Sequence, residues 1–346
     1  MLTEDFDYDL PSGLIAQQPV DPRDSCRLLV LERSSGQIDH RTFSDLPEYL
    51  RQGDVVVVNE TRVLPARLMG VKDETGGAVE VLLLRERYEN AWECLVKPGR
   101  RLRPGAKMVF GDGAMKGLIV EQIDEGGGRL VQFTVAAGER SFLDIVHRIG
   151  EMPLPPYIAK PVSDPELYQT VFARDERSAA APTAGLHFTS ELISRIEASG
   201  ARIEFIDLDV GIDTFRPVSE DDPENHRIHS EHFRVPRRPA EIVNETRVRG
   251  GRVFAVGTTS VRALESAYDE TRGEVVESEG STSLFILPGY RFNVVDALVT
   301  NFHVPRSTLL MMISAFSGRG QVLTAYQIAM DEHYRFLSFG DAMLII

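Results

Sequence analysis

Three stretches of this 346-residue chain set proton-transferring or anion-binding side chains between apolar elements. The first, residues 179–189, is almost free of charge and built from small residues around Thr183, Gly185 and His187. Small residues let a ligand approach the backbone, and amides at a helix start favour an anionic group. A histidine there can transfer protons near neutral pH. A tightly packed turn with a hydrogen-bonded histidine is the plainer account of the same residues.

The second stretch, Gly257-Thr258-Thr259-Ser260, follows an apolar strand and opens a helix. Its hydroxyls and amides suit a carboxylate or phosphate, although capping explains the same residue types equally well. The third, residues 300–308, places Asn301, His303 and Arg306 beside another helix start. Polar groups crowded between apolar elements are costly unless satisfied, which favours a function. Asn59-Glu60-Thr61-Arg62 is a polar stop directly after a core strand, where α/β folds gather ligands. His226, His229 and His232, with Glu231, fall within seven residues. Their spacing walks around a helix and splits across a strand's faces, and no cysteine is near, so no metal is expected and an acid or base role fits better. Asp207, Asp209 and Asp213 share a strand face that reads as a solvated edge.

The elements that must position these groups are legible in outline. Val55-Val56-Val57-Val58 is a β-branched run expected of a strand buried on both faces. Apolar stretches at 79–84, 92–96, 107–110, 118–123 and 130–135 alternate with glycine turns, including Gly126-Gly127-Gly128, and predict a small all-β barrel or sandwich. Helical periodicity returns at 141–149, and Pro153-Leu154-Pro155-Pro156 marks re-entry into a larger body. Thr189-Ser190-Glu191 caps a helix ending at Gly200, and a strand with Ile206, Leu208, Val210 and Ile212 on one side follows. Residues 253–256 form another buried strand, and Pro305 opens a last apolar helix over 309–316, closed by Gly318. The expectation is an α/β (α+β), barrel-like main domain over residues 1–66 and 152–346, interrupted by an inserted all-β barrel at 67–151.

Composition excludes several classes. Residues are 42% hydrophobic and 26% charged, ordinary for a globular protein of this length. Cys26 and Cys94 are the two cysteines, read as small core residues in a reducing compartment. The start is acidic where a secretory leader is basic, and no apolar run approaches a membrane span, so a cytoplasmic location is expected. Net charge is −14, which opposes non-specific nucleic-acid binding. Yet Lys97, Arg100, Arg101, Arg103 and Lys107 put five cations into eleven residues with no acid among them, either as a solvated turn or as a local basic face. No phosphate-binding P-loop, G-x-G-x-x-G after a strand, G-x-S-x-G elbow or H-E-x-x-H motif is present.

Taken together, the segments resemble the S-adenosylmethionine:tRNA ribosyltransferase-isomerase family of queuosine biosynthesis. The resemblance lies in Phe6-Asp7-Tyr8-Asp9-Leu10-Pro11, in Asn59-Glu60-Thr61-Arg62 with Arg67 beyond, and in Pro153-Leu154-Pro155-Pro156-Tyr157-Ile158. It continues through residues 168–173, 180–189, 214–218, 229–231, 256–266, 300–315 and 334–344, in family order along the chain. The chain departs from the family's pattern at Glu60, usually aspartate, at Asp209 and Asp213, usually histidine and glycine, and at Lys160, commonly arginine.

The resemblance implies an inserted-barrel architecture and a specific reaction. S-adenosylmethionine is consumed as a substrate, with no separate cofactor, and its ribosyl group passes to the aminomethyl arm of 7-aminomethyl-7-deazaguanine at the tRNA wobble position. Adenine and methionine leave, and the product is epoxyqueuosine-tRNA. His187, His303 and His229 are the candidates for acid and base. Asn59, Arg62, Arg67, Thr183, Gly185, Thr258, Thr259, Ser260, Asn301 and Arg306 are candidates for holding substrate. Lys97, Arg100, Arg101, Arg103 and Lys107 are candidates for tRNA backbone contact. A monomer without membrane association is expected. The alternatives are a tRNA-binding relative that has lost catalysis and an ordinary methyltransferase, and release of adenine separates them from the first reading.

Overall fold

The computed structural model describes residues 1–123, 128–160, 162, 164–211 and 216–346. These form two compact units, one of residues 1–62, 155–175 and 181–346, the other of residues 63–154 and 176–180. Asp213, Ile212 and the Gly126-Gly127 turn lie outside the described residues. No helix among the described residues is long and apolar enough to cross a membrane.

The larger unit is organised by Val55–Asn59, a strand whose five residues are all buried. Its β-branched side chains pack on both faces, each contributing roughly 1.5–3 kcal/mol when fully withdrawn from water. Arg202–Leu208 and Val253–Val256 pair with it in parallel, and Ala297–Asn301 pairs in parallel with Val253–Val256. Flanking strands complete a nine-stranded mixed sheet in the order Ser278–Thr282, Glu231–Val235, Arg202–Leu208, Val55–Asn59, Val253–Val256, Ala297–Asn301, Ala342–Ile345, Arg27–Leu31, Ile38–Thr42. The sheet runs from edge to edge, so barrel closure belongs to the smaller unit. Below the sheet, Phe43, Phe172, Phe188, Leu192, Ile196 and Phe254 join one apolar cluster.

Four parallel strands therefore deliver their carboxyl ends, Leu208, Asn59, Val256 and Asn301, to the same side. Two of these ends lead into helices. Gly257 turns Val256 directly into the helix Gly257–Ser266 with φ of +83°, a conformation that favours glycine. After Asn301 the chain makes a short polar turn before the helix Thr308–Ser317. Its N-cap is Ser307, whose hydroxyl accepts from the Leu310 amide, so the helix starts beyond Pro305. Thr189 caps Ser190–Ala198 in the same way, and Gly318 ends the Thr308–Ser317 helix.

The expected solvated aspartate edge is corrected by the sheet. The strand stops at Leu208, and Asp207 is 5% exposed because Arg202–Leu208 is an interior strand with a neighbour on each side. The Asp209 amide donates to the His232 carbonyl at 2.9 Å, and its carboxylate lies 3.6 Å from His232 Nδ1.

The smaller unit is a closed six-stranded antiparallel barrel, ordered Gly128–Val135, Ala91–Lys97, Ala78–Tyr88, Arg67–Lys72, Lys107–Phe110, Met115–Gln122. Arg67–Lys72 is a strand that the apolar stretches did not announce, because Met69 and Val71 point to solvent and Gly70 packs under Phe110. The helix Phe142–Ile149, capped by Ser141, lays Phe142 against Trp92 and Phe133 with ring centroids 5.5 and 5.1 Å away.

Candidate active site

A small pocket lies at the carboxyl edge of the parallel strands, the position where open α/β sheets place ligands. Thr183, Thr258, Thr259, Thr300, Asn301 and His303 supply its polar wall, and Val210 and Leu309 are among its apolar residues. Its volume is about 20 Å³, of the order of one water.

His303 is 8% exposed and sits two residues past the strand Ala297–Asn301. The turn is held by its backbone: its amide donates to the Tyr326 hydroxyl at 2.8 Å, and its carbonyl accepts from the Tyr8 hydroxyl. Nε2 lies 2.8 Å from Thr300 Oγ1, while Nδ1 has no hydrogen-bond partner among the described residues. Burial disfavours the imidazolium and lowers its pKa from 6.5 to about 3. The ring is thus neutral at physiological pH, with one nitrogen engaged and the other available.

His187 is placed differently. Asn301 Oδ1 accepts from the Thr183 hydroxyl at 3.0 Å, and Asn301 Nδ2 donates to the Leu337 carbonyl at 3.3 Å. That orientation of the amide makes Nδ2 the donor to His187 Nε2 at 2.9 Å, so Nε2 is the acceptor and Nδ1 carries the proton. Nδ1 then faces Cys26 Sγ at 3.3 Å. Burial, with Arg335 and Arg23 nearby, lowers the His187 pKa to about 3. Both nitrogens of a neutral ring are engaged, and His187 stands behind Asn301 as its support.

The third histidine belongs to an ion cluster beside the pocket. Gly211, next to the lining residue Val210, donates its amide to Glu231 Oε1 at 2.8 Å. His229 Nε2 lies 3.1 Å from the same oxygen, and Arg262 binds the other. Burial would raise the Glu231 pKa, but Arg262 and His229 hold it down, to about 2. Arg262 lies one turn along the helix that presents Thr258 and Thr259. A side chain at Gly211 would meet His229, its Cβ falling 2.9 Å from Nε2. The other two histidines of the triplet also pair with carboxylates, His226 with Glu220 at 2.8 Å and His232 with Asp209 and Glu279.

At the helix start, Thr258 and Thr259 reach the pocket, and Thr259 Oγ1 is buried without a hydrogen-bond partner among the described residues. Ser260 instead returns its hydroxyl to the Val256 carbonyl at 2.7 Å. Gly185 belongs to the turn Thr183–His187, where a Cβ would come 3.0 Å from Thr170 Cγ2.

The remaining candidates lie elsewhere. Asn59 ties two strand ends, donating to the Leu208 carbonyl at 2.8 Å and accepting from the Thr61 and Leu208 amides. Arg62 pairs with Glu166, and Glu60 with Arg174 at 3.2 Å. Arg306 adopts a φ of +56° and places Nε 3.6 Å from Asp7 in a separate groove beside Glu220 and Asp221. Arg67 is in the barrel, 3.0 Å from Glu80. Lys97, Arg100, Arg101, Arg103 and Lys107 are exposed on the barrel. Sequence reasoning did not single out Thr300, Cys26, Arg262 or Tyr8. Thr300, three residues before His303, carries a local signal, whereas the other three meet their partners only through the fold.

Comparison with known proteins bears on this arrangement. The family model described as "Queuosine biosynthesis protein" matches residues 3–345. An S-adenosylmethionine:tRNA ribosyltransferase-isomerase of Symbiobacterium thermophilum is 56% identical over 346 residues, covering 100% of both chains. A protein of the same name from Desulforamulus reducens is 52% identical, again over 100% of both. Among solved structures, an S-adenosylmethionine tRNA ribosyltransferase from Thermotoga maritima aligns with a TM-score of 0.57 and 38% identity, covering 99% of this chain and 100% of that one.

Proposed function

The chain belongs to the queuosine biosynthesis protein family, and on that premise we propose that it transfers and isomerises the ribosyl group of S-adenosylmethionine onto 7-aminomethyl-7-deazaguanine at the wobble position of tRNA. The products are epoxyqueuosine-tRNA, adenine and methionine. The observation that carries this reading onto the molecule is a neutral imidazole, His303, and a helix start bearing an unpartnered buried hydroxyl, Thr259, in one pocket.

Each demand of the reaction has a group to meet it. The sulfonium acidifies the adjacent ribosyl carbon, and a base must take that proton. In the tautomer that donates Nε2–H to Thr300 Oγ1, His303 Nδ1 carries the lone pair, and His303 is the base in this reading. The departing adenine needs a proton, and His229, held on Glu231 beside the pocket, is the donor in this reading. The methionyl carboxylate binds the amides and hydroxyls of Thr258 and Thr259, where the helix dipole favours negative charge. Thr183 and Asn301 add further polar lining, and His187 keeps the Asn301 amide in its orientation.

The test is one incubation with S-adenosylmethionine and tRNA carrying the aminomethyl-deazaguanine. Free adenine is followed by chromatography and the modified base by mass after digestion. Adenine with a matching mass gain on the base supports the proposal. S-adenosylhomocysteine in place of adenine would make the protein a methyltransferase, and tRNA binding with neither product would make it a binding protein.

A further inference from the structure

The barrel unit holds fourteen basic and fourteen acidic residues, so the whole net charge of −14 belongs to the larger unit. Within the neutral barrel the cations are unevenly placed. Between the strands Ala91–Lys97 and Lys107–Phe110, a loop carries Arg100, Arg101 and Arg103, with Lys107 at its end, all exposed. Among the described residues no carboxylate pairs with any of these four. Lys97 differs: its ammonium lies 3.3 Å from Glu80, which also takes Arg67.

A fifth cation lies underneath. Arg129 is 5% exposed, and among the described residues its guanidinium donates to carbonyls: Leu102 at 3.0 Å, Gly99 at 3.1 Å and Gly128 at 3.0 Å. Two of these carbonyls belong to the loop. Leu102 is fully buried between exposed Arg101 and Arg103, and the Gly105 amide donates to the Ile119 carbonyl at 2.8 Å. The loop's backbone is therefore pinned at three points, which fixes where its cations are rooted. A neutral donor would pin it as well; a guanidinium also leaves a full positive charge beneath the surface, where it adds to the outward field.

We propose that this loop docks the phosphate backbone of RNA, with Arg129 as the positioning residue that holds its shape. The inference rests on the tRNA substrate of the proposed reaction and names the surface of this chain that receives it. Exposed cations on a pinned backbone, with no carboxylate partner among the described residues, suit phosphates, whose contacts give affinity and register without reading sequence. A lipid surface fits less well, because the loop exposes no large apolar side chain to insert.

The experiment measures affinity of the full chain for an unmodified tRNA transcript by filter binding across a salt series. The triple variant R100Q/R101Q/R103Q changes only exposed side chains, and thermal melting checks that it stays folded. Expected is binding at least about tenfold weaker at low salt, with the slope of log K against log salt reduced by about 2–3. R129M keeps every surface cation and is expected to weaken binding too, while R129K, which retains charge and fewer donors, loses less. Wild-type affinity and slope in the triple variant overturn this surface, whatever the enzyme does with adenine. Loss of binding to anionic phosphatidylserine vesicles, with tRNA binding unchanged, overturns it in favour of a membrane. If the wild type itself fails to bind the transcript at low salt, the surface falls, while release of adenine from the modified tRNA decides the reaction separately.

Discussion

Asn301 Nδ2 donates to His187 Nε2 at 2.9 Å, and the Leu337 carbonyl that shares this donor leaves the amide one orientation. His187 is thereby a neutral ring with its proton directed at Cys26. Replacing it by alanine removes a buried ring and is expected to destabilise the protein by about 2–4 kcal/mol. Activity falls with the misplacement of Asn301, while the shape of the pH–rate profile stays as in the wild type. A profile that loses a limb in His187→Ala would instead make His187 a proton carrier.

His303 is expected to behave otherwise. If its Nδ1 takes the ribosyl proton, His303→Ala lowers the rate of adenine release by about 10²–10⁴. Thr300→Val leaves the ring but not its hydroxyl partner, and costs up to about 10² through misorientation. Single-turnover measurements with both substrates saturating separate this from weakened binding; wild-type rates in His303→Ala would remove it from the chemistry.

Thr259 offers a comparison in which stability and binding move apart. Its hydroxyl is buried without a partner among the described residues, so Thr259→Val loses no hydrogen bond to them. The melting temperature is expected to hold or rise, whereas affinity for S-adenosylmethionine by calorimetry falls about tenfold. Unchanged affinity would place the carboxylate elsewhere.

The Glu231–Arg262 pair is buried on both sides, and removing one partner leaves an uncompensated charge. Glu231→Gln is expected to lower unfolding free energy by about 3–5 kcal/mol, and the double variant E231Q/R262M to recover most of it. Chemical denaturation of the three proteins measures this. Additive losses in the double variant would mean that the two residues act separately.

Acid should unfold the protein in two overlapping stages. His187 and His303 have pKa values near 3 in the fold against 6.5 free, so the unfolded chain binds more protons between those values. Stability is therefore lost as pH falls below about 6.5, by about 1.4 kcal/mol per pH unit for each histidine. Glu231, lowered to about 2, adds a loss that begins near its free value of 4.5. Denaturation midpoints from pH 7 to 4 are expected to decline more gently in His303→Gln; equal slopes would deny the ring its buried, neutral state.

Local patterns carried much of the architecture. The β-branched run at Val55 to Val58 announced the central strand because a strand buried on both faces needs apolar residues at every position. Thr189 marked a helix start and Gly318 a helix end, because unpaired amides and left-handed turns select particular side chains. The barrel's alternation was visible too, except at Arg67–Lys72, where exposed Met69 and Val71 break the pattern.

By itself, then, the sequence determined the mixed α/β class with its small barrel, the family, and the three stretches in which the pocket's polar residues lie. Only the tertiary structure decided which histidine is available. His187 and His303 look alike in sequence, each in a polar turn after apolar residues. Their difference arises from Cys26, 161 positions away, and Asn301, 114 positions away, which occupy both nitrogens of one ring and leave the other ring a free edge. Hydrogen-bond direction and burial depend on which distant elements pack together, and no local spacing encodes that.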